Sequence, residues 1–181
     1  MGKNPWQSLF HNLKQQHLSL SEKQRTEFSR AHARLRIAKR FYGITLIDVS
    51  DTTERGYSTG MAIFLAYSGM EALAAAMGEP VHQWEMNDEK LAVKLRKLLA
   101  GVDLNHPEPQ EAIGWLLNQD NLIQQLKAFK DGNNHNVLLI ARSLRHMVAH
   151  DSFTTHGLKM FTKRECDAVE ELRQLIFKNL R

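Results

Sequence analysis

The sequence predicts an all-α protein, an up-and-down helical bundle with an N-terminal helical arm, and three observations carry that expectation. Apolar residues recur at i, i+3, i+4 and i+7 through most of the chain, the spacing of one helix face. The breaks between these stretches carry helix-capping residues, glycine or proline, as at Gly78-Glu79-Pro80. One stretch alone, Phe41 to Asp51, is rich enough in β-branched residues to compete as a strand, and it has no evident partner. It reads as an irregular apolar link. The arm is assigned to residues 1–50 and the bundle to residues 51–181.

Taken in order, Pro5 suits a first helical position, and Trp6, Leu9, Phe10 and Leu13 make an apolar face for a helix to about His17. Ser19-Leu20-Ser21-Glu22 reads as a capping box opening a second helix. That helix carries Arg25, Arg30, Arg34, Arg36, Lys39 and Arg40. The cations point in several directions around the axis, which favours a solvated face over a phosphate-tracking stripe. A cap at Asp51 or Thr52 opens a long helix to about Met77. Within it Met61, Phe64, Leu65, Ser68, Gly69, Ala72, Leu73 and Ala76 form a broad face of apolar and small residues. Gly60 and Gly69 each cost about 1 kcal/mol against alanine in a helix interior, and close packing on a neighbouring helix would explain them.

Beyond Pro80, Asn87 is expected to cap a helix with Leu91, Val93, Leu95, Leu98 and Leu99 as its apolar positions. A loop over Gly101–Pro109 precedes a mostly helical stretch from Glu108 to Lys130, broken near Asn118-Gln119-Asp120-Asn121. Asp131-Gly132-Asn133-Asn134 ends it, and Asn134 or Asn136 caps the next helix. Val137, Ile140, Ala141, Leu144 and Val148 form the apolar stripe of that helix. Asp151 to Phe161 reads as irregular. Thr162-Lys163-Arg164-Glu165 is a further capping box, and Val169, Leu172, Leu175, Ile176 and Leu180 define the final helix.

The composition narrows the class. With 181 residues, 43% hydrophobic and 24% charged, the chain has the size and apolar content of one domain with a sizeable core. A formal charge of +4 and a sequence pI near 9.3 are a mild basic bias that suits phosphate without establishing it. The single cysteine, Cys166, excludes an internal disulfide and a cysteine-rich zinc site. No segment approaches ~18 uninterrupted apolar residues, so no membrane span is expected. Met1 to Pro5 has no apolar signal region, and a cytoplasmic location is the default. There is no Gly-rich phosphate loop and no nucleophile elbow of the hydrolase type.

Function is expected on the helix from Asn136 to His150, which begins apolar and becomes basic. Arg142, Arg145, His146 and Ala149 fall at i, i+3, i+4 and i+7, on a face other than the apolar stripe. A plain structural explanation stands beside this, because cations are favoured at a helix C-terminus. Arg145-His146-Met147-Val148-Ala149-His150 resembles the signature of the HEPN family (higher eukaryotes and prokaryotes nucleotide-binding). In that signature an arginine is followed after four to six residues by a histidine, and the position after the arginine is commonly Asn, Asp or His. The resemblance implies a helical bundle that dimerises and brings two motifs together. It also implies binding of RNA, with metal-independent endoribonuclease activity in many members and an antitoxin partner in some. Other members are non-catalytic modules. Asp151 stands where the family frequently has glycine, and the arm lies outside what the resemblance covers.

The residue chemistry fits metal-free RNA cleavage and requires no cofactor. His150 suits acid or base work near neutral pH. Arg145 offers a permanent planar cation to phosphate, with Arg142 as a second phosphate contact. His146 is either the second proton-transfer group or the residue that orients Arg145. Glu71 and Asp151 are the candidate supporting acids, and an acid beside His150 would favour its protonated form. In one unbroken helix Arg145 and His150 diverge by roughly 140°. They meet on one phosphate only if the helix ends between them or a second subunit supplies the partner. Two alternatives remain at this point. His146 and His150 have the spacing of a helical metal pair, which Asp151 or His156 could extend. Arg145 and the histidines could also simply cap carbonyls or pair with Asp151 and Glu71, in a non-catalytic interaction module.

Overall fold

A computed structural model of the chain describes residues 21–100, 104, 122–149 and 162–180. The helix expected to about His17, the stretch before Leu122, and Asp151–Phe161 lie outside the described residues. The described elements are α1 (Glu22–Arg40), α2 (Asp51–Met77), α3 (Glu89–Leu95), α4 (Leu122–Lys130), α5 (Leu138–Ala149) and α6 (Lys163–Asn179). Short 3-10 turns lie at Val81–Gln83 and Arg96–Leu99. The protein is an all-α bundle, and among the described residues the one β feature is an isolated bridge between Asn87 and Asn136.

Capping chemistry sets the helix starts, within a residue or two of the predicted positions. Ser21 rather than Ser19 opens α1, because Ser21 and Gln24 form the reciprocal box. Two overlapping Ser-x-x-acid/amide frames compete here, and the later one places Glu22 in the first turn, where the helix dipole favours it. Ser50 caps α2 by accepting from Thr53 N, with Asp51 and Glu54 in the first turn. Asp88 caps α3 through Leu91 N. Thr162 and Glu165 form the expected box at α6. Gly78 ends α2 with φ 73°, the left-handed backbone that glycine adopts without a Cβ penalty.

The long helix α2 is the centre of the molecule, with α1, α5 and α6 packed around it. Its burial is wider than the single predicted face. Ile63, Ala66, Tyr67, Met70 and Ala74 are buried, whereas Phe64, Leu65 and Ser68 from that face are half-buried. A helix apolar on several sides is one enclosed by neighbours. By length and mean hydropathy (1.4) α2 could cross a membrane, yet 61% of that apolar window is buried within the molecule. On α3, Leu91 and Leu95 are buried as expected, but Val93 is 52% exposed and Ala92 is buried beside Leu91 in its place.

The helix α1 lies along α2 through Phe28, Ala31, Leu35 and Ala38. Contact is closest at Gly69, where an added Cβ would stand 2.6 Å from Leu35 Cδ2 and 3.3 Å from the Leu35 backbone nitrogen. The link after α1 stays irregular because α2 side chains take up its backbone groups. Ile44 N donates to Ser58 Oγ at 3.0 Å and Leu46 N to Glu54 Oε2 at 2.9 Å, so no second strand is needed to satisfy them.

Candidate functional site at the end of α5

The start of α5 is tied down by Asn136, which is 8% exposed. Its Oδ1 accepts from Met86 N (3.0 Å) and Leu138 N (3.2 Å), and its Nδ2 donates to the Trp84 carbonyl (3.3 Å). One side chain thus serves the first helical N–H and joins the helix to the Trp84–Met86 segment. Val137 N adds a backbone bond to Met86 O at 2.9 Å. Asn134 accepts from Asn136 N, so the two predicted caps work in series. Asn136→Ala is expected to cost about 2–3 kcal/mol of folding stability, since it strands two buried N–H groups and a carbonyl. Urea unfolding of the variant measures it, and a loss under about 0.5 kcal/mol would contradict this role.

Arg96 steadies the turn before α5 and is absent from the sequence-based site. Its Nε donates to Phe129 O at 2.7 Å and its Nη2 to Asn134 O at 3.3 Å, with His135 Nδ1 at 3.0 Å. The guanidinium also sits 5.5 Å from the Phe129 ring centroid. The signal for it was a cation at the end of an apolar helix, which spacing does not distinguish from a solvated one. Val137 just before α5 and Ile140, Ala141 and Leu144 within it are buried as the stripe predicts, and Val148 is half-buried.

The basic face of α5 is split by depth. Arg142 and His146, one turn apart, are buried at 7% and 8% exposure, and Arg145 lies at the rim. Glu71 of α2 comes to Arg145 rather than to solvent. Its Oε2 accepts from Nε and from Nη2, both at 3.1 Å, with the two side chains 24% and 26% exposed. This uses the Nε edge of the guanidinium. Arg145 Nη1 points at His146 Nδ1, 3.4 Å away. A donor approaching Nδ1 requires a lone pair there, so the contact selects the tautomer protonated on Nε2. Arg142 lines a small cavity of about 10 Å³ with Tyr67, His82, Trp84 and Asn136, room for roughly one water.

His150 and Asp151 lie outside the described residues, as does His156. The backbone of α5 is helical from Leu138 through Ala149, the last described residue before His150. Among the described residues no three His, Cys, Asp or Glu side chains converge as a metal ion would need. Cys166 is buried on α6, and burial pushes its thiol above the ordinary range, which makes it a core residue and a poor nucleophile. No family model, no curated protein and no solved structure matches the chain.

Proposed function

We propose that the protein binds RNA in the manner of HEPN domains and cleaves it without a metal. In this reading Arg145 holds the scissile phosphate, His150 transfers the proton, His146 orients Arg145, and a homodimer brings two motifs together. The observation that supports it most is the Glu71–Arg145–His146 chain of contacts. A carboxylate from the central helix fixes the Nε edge of Arg145, which leaves the Nη edge as the fork available to an anion. A cation held in advance of the charge it must stabilise loses little to reorganisation. A cytoplasmic location belongs to this proposal, and an antitoxin-like partner would act by covering the site.

A second reading has its own observation. Glu71 neutralises Arg145, and Arg142 and His146 are buried, which is also what a non-catalytic dimerisation or interaction module would require. Cleavage in the presence of chelator separates the two. Wild type is expected to cleave single-stranded RNA, and Arg145→Ala and His150→Ala to lose about 10²-fold or more in rate while keeping wild-type circular dichroism. Equal cleavage by both variants, or none by wild type, would remove the enzyme and leave the interaction module.

A further inference from the structure

Positive charge in this protein is concentrated on α1. Its seven Lys and Arg residues and two acids amount to +5, where the whole chain is +4, so everything outside α1 is close to neutral. Packing then sorts these charges in a way the sequence does not. With Ala31, Leu35 and Ala38 turned inward, helical spacing places Arg25, His32, Arg36 and Lys39 along one flank, with Arg40 beside its end. All five are exposed. Arg30 and Arg34 fall on the opposite flank and are engaged there, with Glu27 at 2.7 Å and with the Ser68 carbonyl at 3.4 Å. Of the two acids of α1, Glu27 holds Arg30, and Glu22 sits in the first turn, three residues from Arg25 but in no ion pair with it among the described residues.

The flank spans about 22 Å from Arg25 to Arg40. Among the described residues no carboxylate forms an ion pair with any of its Lys or Arg side chains. Where it ends, the chain leaves the helix and presents Tyr42, 98% exposed. An aromatic ring 98% exposed at the end of a row of cations that no described carboxylate pairs serves no packing purpose. It does suit a base, because every base has a face to stack while its phosphates follow the cations. A rigid duplex keeps its bases stacked inside and gains nothing from Tyr42.

We infer that this flank of α1, with Tyr42 at its end, is a binding surface for single-stranded nucleic acid: Arg25, Arg36, Lys39 and Arg40 track the phosphates and Tyr42 stacks a base. It shares only its ligand class with the proposed cleavage function. The surface holds RNA whether or not the Arg145 site cuts it.

The test uses the full chain and a fluorescein-labelled oligouridine of about 12 nucleotides carrying 2′-O-methyl groups, which metal-independent cleavage cannot cut. Affinity is followed by anisotropy across a salt series. Substituting Arg25→Gln, Arg36→Gln and Lys39→Gln together is expected to weaken binding at least tenfold and to flatten the log–log salt slope by about 2. Tyr42→Ala is expected to weaken it about tenfold with the slope unchanged, the signature of lost stacking without lost charge. A charge-matched control on other elements, Lys90→Gln, Lys97→Gln and Lys178→Gln, is expected to stay within about threefold of wild type. All replaced side chains are exposed, and circular dichroism confirms the fold. Absence of binding at low salt, equal loss in the control, or wild-type affinity in Tyr42→Ala would each overturn the inference. So would anionic phosphatidylserine vesicles binding with the same dependence on these residues. Failure of cleavage with this binding pattern intact would instead count only against the Arg145 site.

Discussion

Arg173→Ala is expected to destabilise the protein by about 3–4 kcal/mol, the largest effect of any single substitution considered. Arg173 is 9% exposed on α6, and its guanidinium reaches the end of α1. Nη1 donates to Ala38 O at 2.8 Å and to Phe41 O at 3.3 Å, and Nε and Nη2 grip Glu170 at 2.7 and 2.6 Å. The cation also sits 5.8 Å from the Phe177 ring centroid. Removing it strands carbonyls at a helix end that has no intrahelical donor, about 1–3 kcal/mol for a buried acceptor, and removes the packing of the stem. Glu170 is 46% exposed, and water largely replaces its partner, so the ion pair itself contributes little. Arg173→Lys is expected to restore less than half, because one ammonium cannot serve both carbonyls and the carboxylate with the geometry of a planar fork. Equilibrium urea unfolding measures both variants. A loss below about 1 kcal/mol for Arg173→Ala would show that α1 does not depend on this anchor.

Gly69→Val is expected to cost about 3 kcal/mol, by a different route, at the contact between α1 and α2. A Cβ at 2.6 Å from Leu35 Cδ2 and 2.7 Å from Leu35 Cγ is below any real contact, and the Leu35 backbone nitrogen at 3.3 Å limits how far the side chain can retreat. The two helices must separate, and overpacking of this kind costs roughly 1–3 kcal/mol, more for a β-branched residue that cannot swing away. Gly69→Ala meets the same clash with a smaller group and regains about 1 kcal/mol of helix propensity, so it is expected to lose less. The valine variant carries a diagnostic companion. Leu35→Ala makes room for it, and the double variant is expected to be more stable than the sum of the two single losses predicts. Strict additivity would mean that Gly69 does not set the α1–α2 distance.

Both predictions concern contacts that hold α1 in place, with α6 through Arg173 and with α2 through Gly69, and so make its basic flank a defined surface. With α1 detached, its seven cations would again point in every direction, as the isolated sequence suggests. Asn136 and Arg96 do the corresponding work for α5, fixing where the helix begins and hence where Arg145 arrives.

Much of the architecture was legible because it depends on local chemistry. A serine or threonine three residues before Glu or Gln, a glycine after an apolar run, and apolar residues at helical spacing act within a few residues of themselves. They place α2, α5 and α6 within a residue or two of their observed ends. The all-α class follows from the same signals. The Arg145, His146 and His150 pattern was equally readable as a string, and so was Glu71 as a candidate neighbour. What spacing could not decide was depth and contact. Arg142 and His146 share a face with Arg145, yet two of the three are buried, because the side on which α2 lies is set by packing and not by periodicity. The burial of α2 beyond its predicted face has the same origin: a helix enclosed by three neighbours shows no single stripe. Likewise, which cations of α1 stay free in water was decided by Ala31, Leu35 and Ala38 meeting α2. Local sequence determined the helices and their ends, and only the tertiary structure decided which of their charges face each other, the core or the solvent, because burial depends on residues distant in the chain.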